Sequence, residues 1–128
     1  MTNWIPFVEG EYLVDQAFLS ASDGSATALE NTIIEVYSDR QGNRHLKGHS
    51  RVHNLHMVEL LEDSDDLDII LDFGDEFKYL LKQPELQSGK VFSPAAKSTL
   101  WFTPNSPWQQ IPPAEFEALV SRLKLLSQ

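Results

Sequence analysis

Apolar and polar residues alternate along most of the chain as far as Phe102, and a period of two marks strands with one buried face. Glu11–Ser20 begins after Gly10 and reads as a strand, with Asp23-Gly24-Ser25 supplying turn chemistry behind it. Ala26–Asn31 lacks a clear period and reads as a loop or one helical turn. Thr32–Ser38 is rich in β-branched residues. It runs into Asp39-Arg40-Gln41-Gly42-Asn43, whose Gly and Asn tolerate positive φ, and returns along Arg44–His53. These two segments predict a hairpin.

A second hairpin is specified by side-chain matching. Leu67–Phe73 faces Phe77–Lys82 across Gly74-Asp75-Glu76, which sets Phe73 against Phe77, Leu71 against Tyr79 and Ile69 against Leu81. The other face then pairs Asp72 with Lys78 and Asp68 with Lys82. A loop of Gly74-Asp75 alone would set Asp72 against Phe77 and mix the faces, so the longer loop is selected. Each matched pair contributes a few tenths to ~1 kcal/mol. Ile70 opposite Leu80 predicts that the charged face is also partly covered.

Gln83–Gly89 reads as a loop, and Lys90–Ser93 and Ser98–Thr103 as short strands around Pro94-Ala95-Ala96. The proline-rich stretch Pro104–Pro113 is expected to end the sheet. Pro113 suits the first turn of a helix, Glu115 and Glu117 suit its positive end, and Arg122 and Lys124 its negative end. Phe116, Leu119, Val120, Leu123 and Leu126 form one apolar stripe at helical spacing. The predicted fold class is α+β, mainly antiparallel β. A small barrel or β-roll of about six to eight strands would carry one C-terminal amphipathic helix, all within a single domain spanning 1–128.

The order of elements resembles that of pleckstrin-homology-like and lipocalin-like barrels, and the resemblance stops at that order. Asn3-Trp4-Ile5 does not match a lipocalin's glycine and tryptophan at the first strand, and no basic strand loop near the start matches a phosphoinositide-binding pleckstrin domain.

Charge narrows the function. The formal net charge is −9, and no Lys or Arg precedes Arg40. Phosphate backbones and anionic headgroups reward clustered cations, so neither nucleic acid nor a membrane surface is an expected partner. An acidic surface suits a basic protein partner, or simply keeps a small domain soluble. Cysteine is absent, which removes disulfide and thiolate chemistry without naming a compartment. Met1–Gly10 has neither a basic residue nor the apolar run of a secretory signal, so a soluble, cytoplasmic location is the expectation.

All four histidines, His45, His49, His53 and His56, lie within a dozen residues, interleaved with Arg44, Lys47 and Arg51. On a helix, His45, His49 and His53 would share a face at ligand-like four-residue spacing, against which stand Gly48, Ser50, Val52 and the preceding turn. On a strand the same three share one face with Lys47 and Arg51, while Leu46, Gly48, Ser50 and Val52 line the other. Four-residue spacing on a strand separates side chains by roughly 13 Å, too far for two to reach one zinc. The alternatives are a solvated basic face, a pH-sensitive interface on His45, His49 and His53, and a metal site that would need carboxylates brought in from elsewhere.

Other motifs fail at named positions. The acidic run from Asp63 resembles a calcium loop but has Leu67 at a ligand position, Asp68 at the glycine position and Gly74 at the closing glutamate position. Gly48-His49-Ser50 lacks the closing glycine of a hydrolase elbow, where Val52 stands. No glycine-rich phosphate loop occurs, and Asp65 with Asp66 reads as a hydrated pair. Trp4, Trp101 and Trp108 are expected to help close the core where the ends meet, and Trp108 becomes a contact anchor if it is exposed.

The leading expectation is a non-enzymatic protein-binding module of adaptor, immunity or inhibitor type. It would present Glu62, Asp63, Asp65, Asp66 and Asp68, with Trp108, to a basic partner, and no cofactor or metal is expected. The second is a small-molecule-binding barrel whose Tyr37, Tyr79 and Trp101 line an apolar cavity. A metal-assisted enzyme using the histidines comes last.

Overall fold

The computed structural model describes residues 7–63, 66–88, 97–105 and 107–126, with the side chains of Glu62 and Asp63 left aside. Among these described residues, ten strands and two helices follow in chain order: β1 Gly10–Leu13, β2 Gln16–Ala21, β3 Ser25–Ser38, β4 Arg44–His53, α1 Asn54–Asp63, β5 Leu67–Asp72, β6 Lys78–Leu81, β7 Glu85–Ser88, β8 Lys97–Thr103, β9 Gln109–Ile111, α2 Pro113–Ser121 and β10 Lys124–Leu125. Eight strands form a curved half-barrel in the order β7-β8-β4-β3-β2-β5-β6-β9. β1 adds antiparallel to the later part of β3, and β10 adds parallel to its first residues. The expected mainly antiparallel α+β class with a C-terminal helix is therefore observed.

β3 organises the sheet because it serves two sets of partners. Ala26–Leu29 pair with β2, Ile33–Val36 pair with β1, and the register against β4 shifts between Glu30 and Ile33. Asn31 takes φ 51° in that shift, the left-handed conformation that asparagine tolerates better than most residues. The segment Ala26–Asn31, expected as a loop or helical turn, is thus strand. Its weak periodicity is overridden by neighbours on both sides. Glu11–Ser20 is likewise two strands, because the chain changes partners at Val14, whose N–H donates to Thr32 O at 3.0 Å, and at Asp15, whose N–H donates to Asp72 O at 2.8 Å.

Both predicted hairpins form. β4 has the expected bounds, and β5 pairs with β6 as Ile69↔Leu81, Ile70↔Leu80, Leu71↔Tyr79 and Asp72↔Lys78. The turn closes with Phe73 N–H on Phe77 O and Phe77 N–H on Gly74 O, both 2.9 Å. Alternation then divides the apolar residues between two faces. Leu19, Ile34, Val36, Ile69, Leu71, Leu81, Leu100 and Phe102 build the main core, while Phe18, Ile70 and Ile111 meet Phe116 of α2 on the opposite face. The Ile70–Leu80 pair lies under that helix, as its composition implied.

Further elements depart from the sequence reading. α1, to which no element was assigned, turns His56, Met57 and Leu60 inward at helical spacing and leaves Leu55, Glu59 and Leu61 outward. Glu85–Ser88 is not loop but the strand β7 on β8, and the proline-rich stretch does not end the sheet, because Gln109–Ile111 pairs with β6. The strand expected at Lys90–Ser93 lies outside the described residues. α2 starts at Pro113 as expected and is capped at Arg122, short of the predicted stripe's end. Leu119, Val120 and Leu123 stay with Phe116, whereas Leu126 crosses to the main core beyond β10. Burying a phenylalanine such as Phe116 contributes about 1.5–3 kcal/mol toward docking this short helix. Among the described residues, no helix is long and apolar enough to cross a membrane.

Candidate functional site

Strand geometry splits the histidine cluster. His45 is exposed and His49 half-buried on the outer face of β4, alternating with exposed Lys47 and Arg51, while Leu46, Gly48, Ser50 and Val52 are buried behind them. His45 Nε2 lies 2.8 Å from Asp39 Oδ2, and its ring stacks on Tyr37 at 5.5 Å. That contact, with the N–H groups of Asn43 and Gln41, holds the Asp39 carboxyl below the usual 3.8. Lys47 is 3.5 Å from Glu35, so the outer face is already partly neutralised by its neighbours.

His53 departs from the predicted outward face. It is 9% exposed where β4 enters α1, and its ring lies 4.5 Å from that of His56, whose Nδ1 is 3.2 Å from Thr27 Oγ1. The pH-sensitive face read from the sequence is therefore divided, with His45 and His49 outside and His53 in a buried corner. The partner of His53 was legible only through the helical spacing of His56, Met57 and Leu60. No group of three or more His, Cys, Asp or Glu side chains converges as a metal site among the described residues.

The described part of the acidic segment is held in secondary structure at both ends. Glu62 and Asp63 belong to the last turn of α1, Asp66 lies just before β5 and Asp68 within it; Asp65 lies outside the described residues. Gln83, at φ 45°, joins the two described carboxylates. Its backbone N–H donates to Asp68 Oδ1 at 3.0 Å and its side-chain amide to Asp66 Oδ1 at 2.8 Å. Lys82 Nζ approaches Asp68 Oδ2 at 3.4 Å, the cross-strand pair that the hairpin register predicted.

Trp108 is corrected as a surface anchor. It is 8% exposed, with Phe7 at 6.3 Å and Tyr79 at 6.2 Å between ring centres. Phe7 also meets Tyr12 and Phe73, so Trp108 joins an aromatic cluster with a residue from near the other end, as expected of it. Trp101, expected to help close the core, is instead exposed, and Trp4 lies outside the described residues. Tyr37 and Trp101 are 40% and 46% exposed, whereas Tyr79 is buried. The three aromatics proposed to line one cavity therefore do not face a common interior.

An open groove of about 880 Å³ lies beside α2. Ile70, Leu80, Leu119 and Leu123 supply its apolar part, and Asp66, Asp68 and Lys82 stand along one side. Asp23 and Arg122 complete its charged lining. Asp23 Oδ1 accepts the Ser25 N–H at 2.9 Å, and that bond lowers its pKa below 3.8. Asp23, Lys82 and Gln83 were not singled out as site residues, although Asp23-Gly24-Ser25 was legible as a turn. Their convergence on Asp66 and Asp68 needs the sheet and the helix together. Comparison with protein-family models, curated proteins and solved structures gives no match for this chain.

Proposed function

We propose that this protein is a non-enzymatic binding module, of adaptor, immunity or inhibitor type, that engages a basic protein partner through the acidic segment Glu62–Asp68. The observation that supports the reading is the run of carboxylates in the sequence, of which Asp66 and Asp68 come together just before and within β5. Glu62 and Asp63 occupy the C-terminal turn of α1, where the helix dipole disfavours negative charge by about 0.3–1 kcal/mol each. Beyond the turn, Asp66 and Asp68 are both held by Gln83, so less side-chain freedom is lost when a partner binds. The net charge of −9 adds long-range attraction for a basic surface, which raises the rate of encounter.

The test is affinity capture of the tagged protein from lysate of its own source, read by mass spectrometry at low and moderate salt. A basic partner is expected in stoichiometric amount and is expected to be lost as salt rises. Replacing Asp63, Asp65, Asp66 and Asp68 together by Asn should weaken its binding and flatten the salt dependence. A partner whose affinity and salt dependence ignore those replacements would exclude this segment as the contact.

A further inference from the structure

We infer that the groove beside α2 receives a segment of the basic partner in which an apolar side chain is flanked by lysine or arginine. This rests on the basic-partner reading and adds to it a place and a recognition chemistry. The groove combines two demands that a purely charged surface would not make. Ile70, Leu80, Leu119 and Leu123 line it with hydrocarbon, which rewards an inserted apolar side chain. Asp23 lies on the β2–β3 turn, while Asp66 and Asp68 lie at the start of β5, so carboxylates come to the same recess from two separate elements. At about 880 Å³ its volume falls in the range of roughly 300–1,000 Å³ typical of binding pockets.

The carboxylates are fixed in place before any ligand arrives. Asp23 is tied to the Ser25 N–H and Asp66 to the Gln83 amide. Asp68 is partly occupied by Lys82, but that pair is long at 3.4 Å and the Lys82 side chain is 55% exposed. A partner cation can therefore replace Lys82 at small cost, since such exposed pairs contribute little. The other cation of the groove, Arg122, donates Nε to Ala118 O at 3.3 Å on its own helix. With three carboxylates against these two cations, the lining keeps a negative excess, matching the sign of the whole chain.

The experiment titrates the isotope-labelled full chain with a short acetylated peptide of alternating arginine and leucine, followed by amide NMR shifts. Peptides of arginine and glycine and of glutamate and leucine serve as controls. The arginine–leucine peptide should move Gly24, Asp68, Gln83, Leu119 and Leu123. Asp23→Asn with Asp66→Asn should weaken it by about tenfold, while Asn Oδ1 still accepts the Ser25 and Gln83 N–H groups and keeps the fold. Lys82→Met should strengthen binding by freeing Asp68, an effect opposite to that of simple damage.

Equal binding of the arginine–glycine peptide, shifts confined to the end of α1, or no binding of any peptide would overturn the groove. Each of those outcomes leaves the basic-partner reading to the capture experiment. Preference for the glutamate–leucine peptide would overturn both.

Discussion

Lys78 Nζ lies 2.8 Å from Asp72 Oδ1, and the two side chains retain only 12% and 14% of their exposure. The pair closes the β5–β6 hairpin from the face that α2 covers. Asp72 also accepts the Gly74 N–H at 2.8 Å, and the ammonium sits 5.3 Å from the centre of the Phe116 ring. One ion pair thus joins the hairpin turn, the sheet and the C-terminal helix. Removing a single partner from so dry a pair leaves a charge without its counterpart.

Lys78→Met is accordingly expected to destabilise the protein by about 2–4 kcal/mol, slightly below the range for fully buried pairs. Asp72→Asn should lose less, because its amide oxygen still accepts the Gly74 N–H and the Lys78 ammonium can turn toward water. Urea denaturation of both variants and of the double variant measures the coupling. A loss below about 0.5 kcal/mol for Lys78→Met would mean that the pair is hydrated in solution.

The Asp39–His45 contact predicts a pH dependence with a definite sign. Asp39 is held below 3.8 chiefly by the His45 hydrogen bond, with further donation from Asn43 and Gln41. A carboxylate whose folded pKa is depressed stabilises the fold above its unfolded value, and that contribution is lost as pH falls through the lower folded value. Carbon NMR titration should place the Asp39 inflection below 3.8, and His45→Ala should move it upward. An inflection unchanged by the substitution would assign the shift to the loop amides alone.

Gly48 is paired with Phe102 across β4 and β8, and a Cβ at this position would collide with the Phe102 ring and with Ile34 Cδ1. The ring uses the space that the missing side chain leaves. Gly48→Ala should destabilise by about 1–3 kcal/mol through overpacking, read as a lower melting temperature. Phe102→Leu in that background should destabilise far less than Phe102→Leu alone. Additive losses would show that the ring does not depend on the glycine.

The elements legible in the sequence are those whose partners are close in the chain. The β5–β6 register followed from matching Asp72 with Lys78 and Leu71 with Tyr79, because only one turn length keeps both faces consistent. The β4 bounds and the start of α2 at Pro113 were equally local. Distant partners decided the rest. Ala26–Asn31 has little strand character of its own and is held by β2 and β10, while β9 becomes a strand because β6 is beside it. α1 was hidden between a histidine-rich strand and an acidic run, although His56, Met57 and Leu60 already had its spacing.

The candidate site divides the same way. Charge sign and the acidic segment were determined by composition, since no folding changes the balance of Asp and Glu against Lys and Arg. Which tryptophan faces water was not: Trp108 is covered by Phe7 and Tyr79 from distant parts of the chain, and Trp101 lies on the uncovered face of β8. Alternation determines that Trp101 and Phe102 point to opposite sides, and only tertiary packing decides which side is the core. The groove is tertiary for the same reason. Asp23, Asp66 and Leu123 share no local pattern, and their convergence depends on β2 pairing with β5 and on α2 packing across that pair.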